Sequence, residues 1–301
     1  MWQQLLLQLQ AGDRRALARC ISLVENEQEG YMTFLQDLPA RQAPVIGITG
    51  PPGAGKSSLA DALIGTMTSA GKKVGVICVD PSSPFNLGAV LGDRIRMNRW
   101  FNHPDVYIRS LASRGSLGGL NQMIIEITAV LQAVGFDYIL IETVGIGQSE
   151  VEIAGLADTT LVVLVPEAGD EIQTMKAGVM EIADIFVVNK SDRPDADRFV
   201  ANLKQMQAPA FNRSKREIPV IKTVAHLQKG IKDLIEAIET DINASTQNDR
   251  KIVLLTRRLL QIIQRLRMKD IKPALVQQRI EEKLAEGEFQ LFRLATEFTH
   301  I

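Results

Sequence analysis

The chain has 301 residues, 46% hydrophobic and 23% charged, which is enough apolar material for a sizeable core. Its 34 lysines and arginines balance 35 aspartates and glutamates, and a formal charge of −1 gives no bulk field for nucleic acid or an anionic membrane. No run approaches the ~18 apolar residues that span a bilayer, and the first ten residues lack the basic start of a secretory signal, so a cytoplasmic location is expected.

Residues 1–42 read as helices. Leu5, Leu6 and Leu9, then Leu17, Ile21 and Val24, recur near the helical period, and Asp13 is placed to cap the second helix. A helical extension docked on the main domain is expected. From 43 to 242, apolar β-branched runs alternate with helical patterns, which predicts an α/β fold with a mainly parallel sheet and helices on both faces. Strands are expected at 45–49, 74–79, 106–108, 138–141, 160–165, 185–188 and 220–223. In such a sheet ligands bind beyond the carboxyl ends of the strands, so the residues that follow each strand are the informative ones. A polar stretch, Asn243 to Asp249, then leads to an apolar stripe of Ile252, Leu255, Leu259, Ile262, Ile263 and Leu266 and to a second amphipathic segment from Pro273 to Leu284. Residues 243–301 are expected to be a helical arm, packed on its own domain or against a second copy of the chain.

The first expected strand runs into Gly50-Pro51-Pro52-Gly53-Ala54-Gly55-Lys56-Ser57, and Ser58 opens a helical stretch. The spacing G-x-x-x-x-G-K-S in that setting predicts a loop whose backbone N–H groups cradle phosphates, helped by the positive end of the helix. Lys56 is expected to reach the β- and γ-phosphates and Ser57 a magnesium ion. The strand at 185–188 runs into Asn189-Lys190-Ser191-Asp192, the N-K-x-D pattern that reads guanine. The Asp192 carboxylate can accept from both the ring N–H and the exocyclic amino group of guanine, whereas adenine has no such pair of donors. Asn189 would hold the loop and Lys190 would cover the base plane. GTP or GDP is therefore the expected ligand.

Asp80 and Glu142 end two strands, and Asp93 follows in a loop; hard oxygen donors of this kind are what Mg2+ needs beside phosphates. Glu142-Thr143-Val144-Gly145 stands where Ras-like GTPases carry D-x-x-G, so Gly145 can offer its N–H to the γ-phosphate. Gln148 is displaced by two positions from the residue that follows the glycine in Ras-like enzymes, so slow intrinsic hydrolysis accelerated by a partner is expected.

These segments, together with Val79-Asp80-Pro81-Ser82-Ser83-Pro84, Glu142 through Glu150 and Glu167 through Gly178, resemble the MeaB/ArgK family of P-loop GTPases. Members of that family chaperone adenosylcobalamin-dependent methylmalonyl-CoA mutase. The resemblance implies a P-loop fold of the SIMIBI type, a homodimer formed through the C-terminal arm, and an acyl-CoA mutase as partner. It also implies that Asp80, Asp93 and Glu142 surround the ion with Ser57. Lys56, Asp93, Glu142 and Lys176 would act in hydrolysis, with Lys176 in a switch over Asp170 to Gly178. Thr223-Val224-Ala225 would complete the base pocket where the family commonly has a serine-rich turn. The alternative is a nickel or zinc metallochaperone from a sister group of GTPases. Such a protein needs clustered Cys and His, whereas Cys20, Cys78, His103, His226 and His300 are dispersed.

Overall fold

The computed structural model describes residues 1–39, 43–80, 97–113, 120–143, 149–168, 182–214, 217–244 and 249–299. They form two compact units, Met1–Lys251 and Ile252–Ile301.

The first unit is built on seven parallel strands: β1 (Val45–Thr49), β2 (Val74–Asp80), β3 (Val106–Ala112), β4 (Tyr138–Glu142), β5 (Thr159–Leu164), β6 (Ile185–Val188) and β7 (Val220–Lys222). Their order across the sheet is β3-β2-β4-β1-β5-β6-β7. The chain moves outward from β1 to β3, returns as β4 beside β1, and crosses to β5 on the other side. The strand order therefore reverses around β1, and crevices at the carboxyl ends of such strands are where α/β sheets bind ligands.

Successive strand residues point to opposite faces, and both faces are covered. On one, helices α1 (Trp2–Gln10), α2 (Arg14–Glu25), α3 (Tyr31–Gln36) and α5 (Ile124–Val134) pack with Val45, Ile77, Val79, Ile139 and Ile141. On the other, α4 (Lys56–Ser69) and α8 (Ile231–Ala244) bury Ile46, Ile48, Val76, Cys78, Leu140 and Val163. Further helices, α6 (Ser149–Leu156) and α7 (Ala196–Ser214), follow β4 and β6. Asp13 caps α2, its carboxylate accepting from the N–H groups of Arg15 at 2.7 Å and Ala16 at 3.1 Å, a contact type worth about 1 kcal/mol. Leu5, Leu9, Leu17, Ile21 and Val24 are buried, as their spacing predicts.

Two elements differ from expectation. β3 continues four residues beyond Ile108 and pairs with β2 along its whole length, Val74↔Val106 to Asp80↔Ala112. Its polar Arg109 is accommodated because the sheet edge faces α2, where Arg109 Nη2 donates to Ser22 Oγ at 3.2 Å and lies 3.4 Å from Glu25 Oε2. The last helix of the second unit falls within the expected helical arm, 243–301, but beyond the two amphipathic segments marked in it.

That second unit comprises most of α9 (Asp249–Arg267), then α10 (Pro273–Ala285) and α11 (Leu291–Thr299). Arg279 ties α10 to α11 through Glu297 at 3.1 Å and also reaches Glu282 at 3.0 Å. No residue of α10 is buried, and Ile252, Leu259, Leu275, Leu284 and Phe292 are all more than half exposed. Among the described residues, no helix is long and apolar enough to cross a membrane.

Candidate functional site

Those residues singled out from the sequence that the structure describes converge on the carboxyl edge of the sheet around β1. Gly50 leaves β1 with φ +137°, and a Cβ there would lie 2.1 Å from the carbonyl oxygen of Val163, so the turn is closed to any other residue. Gly55 ends the loop in the left-handed region at φ +89° and caps α4, while a Cβ on it would meet Asn189 Nδ2 at 2.4 Å. Pro51, Pro52, Gly53 and Ala54 form the bend between them, and Lys56, Ser57 and Ser58 make the first turn of α4. The first N–H groups of that helix have no partner within it, which suits them to an anion.

Lys56 is buried and its Nζ donates to the carbonyl oxygens of Gly50 at 3.0 Å and Pro51 at 3.2 Å. Its ammonium is thus held inside the loop. Ser57 Oγ donates to Glu142 Oε1 at 2.7 Å, joining α4 to the end of β4. Asp80 and Glu142 are almost wholly buried, at 1% and 2% exposure. The register Cys78↔Glu142 puts Asp80 two residues further along the neighbouring strand and on the same face as Glu142. Beside them, Thr143 and Thr49 share a hydrogen bond between hydroxyls at 3.0 Å, and the Thr143 N–H donates to Ile48 O. Two carboxylates and a hydroxyl gathered at a buried helix start form a hard oxygen donor set of the type Mg2+ takes beside phosphates.

On the other side of the loop, Asn189 is a junction. Its Nδ2 donates to Ala54 O at 2.9 Å, while its Oδ1 accepts from Thr223 Oγ1 and the Ala225 N–H, both at 3.2 Å. One side chain therefore joins the P-loop, the end of β6 and the loop after β7. Lys190, itself left-handed at φ +55°, donates from Nζ to Gly53 O at 2.7 Å. The Ser191 N–H donates to Thr223 O at 3.0 Å, which aligns the two loops. Val224 is buried behind them, and Asp192 is exposed at the open end. Asp93, Gly145, Gln148 and Lys176 lie outside the described residues.

The structure adds contacts at the same edge whose pairing the sequence motifs do not reveal. Arg193, directly after the N-K-S-D stretch, pairs with Glu167 beyond β5, and the guanidinium hydrogen bond holds the Glu167 carboxyl below the usual carboxylate range. Both side chains are about half exposed, so the pair braces the loop without adding much stability. Thr49 and Thr143 are strand-end threonines, a weak signal that only the pairing of β1 with β4 makes specific. The two cysteines are in separate cores on opposite faces of the sheet, and burial pushes the Cys20 thiol up to about 11.

A family model described as "Methylmalonyl Co-A mutase-associated GTPase MeaB" matches residues 17–283. A Pyrococcus abyssi protein provisionally named a GTPase is 44% identical over 295 residues, covering 96% of this chain and 90% of its own length. The GTPase ArgK of Escherichia coli is 36% identical over 253 residues, covering 80% and 76%. The crystal structure of an LAO/AO transport system kinase superposes with a TM-score of 0.66 at 24% identity, covering 99% of this chain and 96% of that one, a likeness of fold. A G-x-x-x-x-G-K-S loop joined by Asn189 to the N-K-S-D loop, within a family match of this extent, places the chain in the MeaB family of P-loop GTPases, and it is a GTPase.

Proposed function

We propose that this GTPase couples GTP hydrolysis to the service of an adenosylcobalamin-dependent acyl-CoA mutase, methylmalonyl-CoA mutase first, by gating cofactor loading, protection or reactivation. What carries the reading is the extent of the family match. It covers residues 17–283, hence helical parts on both sides of the nucleotide core, and the family is described by its association with that mutase. A nucleotide site alone would support only a GTPase. A metallochaperone role has less support, because the two cysteines face away from each other across the sheet.

In this reading the chain's own groups divide the work. The P-loop from Gly50 to Ser58, through the N–H groups of its residues other than Pro51 and Pro52, and Lys56 Nζ hold the phosphates, and Lys56 exchanges its carbonyl partners for phosphate oxygens when GTP enters. Asn189, Lys190, Asp192 and the Thr223–Val224–Ala225 loop take the guanine. Ser57, Asp80, Glu142 and Asp93 would hold Mg2+, which when bound neutralises charge that develops on the phosphates. Glu142 sits one residue before Thr143 and three before Gly145, so a change at the γ-phosphate has a short covalent path to the metal side. Lys176 would carry the state of the site to the mutase.

The exposed apolar residues of α9, α10 and α11 support the second unit as a homodimer arm, since a single chain leaves Ile252, Leu259 and Phe292 in water. Location in the cytoplasm, with its pool of acyl-CoA enzymes and nucleotide, completes the proposal.

The test is a pull-down of methylmalonyl-CoA mutase on the immobilised GTPase with GTP and Mg2+, with GDP, and with no nucleotide. Capture that depends on the nucleotide supports the reading. Absence of capture in all three states contradicts it.

A further inference from the structure

Asp192 is exposed, and among the described residues no hydrogen bond or ion pair engages its carboxylate. Its direction is therefore set by the backbone that carries it. Before Asp192 that backbone is fastened twice: Lys190 Nζ donates to Gly53 O at 2.7 Å, and the Ser191 N–H donates to Thr223 O at 3.0 Å. These contacts tie it to the P-loop and to the loop after β7. The Arg193 N–H donates to Lys190 O at 3.0 Å, which closes a four-residue turn with Asp192 at its third position.

The far half of that turn depends on Arg193. Pro194 follows it and disfavours the helical region for Arg193, so the chain leaves the turn extended. The Arg193 side chain runs to Glu167, in the 3-10 turn Pro166–Ala168 that follows β5. That hydrogen bond is the main reason the Glu167 carboxyl lies below the usual carboxylate range, and the charges of Arg193 and Lys190 add to it. Both cations that flank Asp192 thus act on one carboxylate across the loop. The pairing has a second consequence. A guanidinium next in the chain to a carboxylate can close on it and occupy the oxygens that a base needs, and Glu167 holds this one elsewhere.

We propose that Arg193, through its ion pair with Glu167, is a positioning residue for guanine selectivity: it aims the Asp192 carboxylate and keeps both of its oxygens open to the base. The proposal rests on Asp192 as the group that reads guanine and adds the residue that directs it. An exposed pair of this kind contributes little to stability, so its effect should appear in discrimination between bases.

The experiment measures the affinities of GDP and of inosine diphosphate, which lacks the exocyclic amino group. The proteins are the parent chain, Arg193→Ala, Glu167→Ala, the double variant and Asp192→Asn. Inosine offers one donor, which a misdirected carboxylate can still swing to meet; guanine offers two, which demand direction as well as place. The preference for GDP over inosine diphosphate should fall by roughly threefold in Arg193→Ala and in Glu167→Ala, with inosine diphosphate affinity within about twofold of the parent. The double variant should fall no further than either single one, because the two side chains act as one pair. A merely structural role would weaken both nucleotides equally, and that result overturns the proposal. So does an unchanged preference, or losses that add in the double variant. If Arg193→Ala fails to fold by circular dichroism, Glu167→Ala decides in the same terms. A parent that binds the two nucleotides equally, or an undiminished preference in Asp192→Asn, removes the guanine reading and the proposal with it. If Asp192→Asn lowers the preference and the alanine variants do not, only the proposal falls.

Discussion

The two sides of the phosphate loop are built on different chemistry. Toward β6 and β7 the loop is held by neutral hydrogen bonds that meet at Asn189, from Ala54 to Thr223 and Ala225, and by the Lys190 ammonium on Gly53 O, with no buried carboxylate among them. Toward β2 and β4 the same edge gathers buried carboxylates, Asp80 and Glu142, around Ser57. The side toward β6 and β7 is assembled from contacts that the protein makes with itself, so a base bound there would meet groups already in place. The side toward β2 and β4 concentrates negative charge that costs on the order of several kcal/mol to bury, which a divalent cation would offset. Recognition and hydrolysis should therefore respond separately to mutation.

The largest effect is expected at the group both sides share. Lys56→Ala removes the one buried ammonium of the loop, and GTP turnover should fall by about a hundredfold or more, measured as phosphate release with the fold checked by circular dichroism. Next, Glu142→Gln keeps the shape and a partner for Ser57 but removes charge from the metal side. Turnover should drop by something like tenfold to a hundredfold while GDP affinity in EDTA holds, and an equal loss of both would erase the division of labour.

On the base side the effects should appear in binding. Asp192→Asn replaces an acceptor pair by a mixed donor and acceptor, so guanine nucleotides should bind roughly tenfold or more weakly and xanthine nucleotides should partly regain affinity. Equal affinity of the parent protein for ATP and GTP would remove the basis of this prediction. The smallest expected change is Thr223→Val, which deletes one of two donors to Asn189 Oδ1. A net hydrogen bond is worth about 1 kcal/mol, so GDP affinity should weaken by roughly fivefold with Mg2+ dependence unaltered.

Much of the base side and the loop was readable because local rules are rigid there. Gly50 and Gly55 hold conformations that other residues resist, and the strands that feed the motifs are continuous apolar runs buried on both faces. The extension of β3 was not readable, since Arg109 belongs in a strand only when Glu25 and Ser22, more than eighty residues away, are there to receive it. The hydrogen bonds that Arg99 and Trp100 donate to Asp61 are hidden for the same reason, with the partners separated by 38 and 39 residues and no motif to flag them. In the second unit the apolar stripe of α9 shows which face seeks cover; periodicity cannot say what covers it.

We propose above that the GTP site answers to a mutase. Its most direct test is GTP turnover with and without saturating methylmalonyl-CoA mutase, for the parent chain and for Lys176→Ala. The mutase should accelerate the parent, and Lys176→Ala should keep its nucleotide affinity but lose roughly tenfold of the stimulated rate. A parent rate that the mutase leaves unchanged would contradict coupling of the GTP site to the mutase, and full stimulation of the variant would remove Lys176 from that coupling.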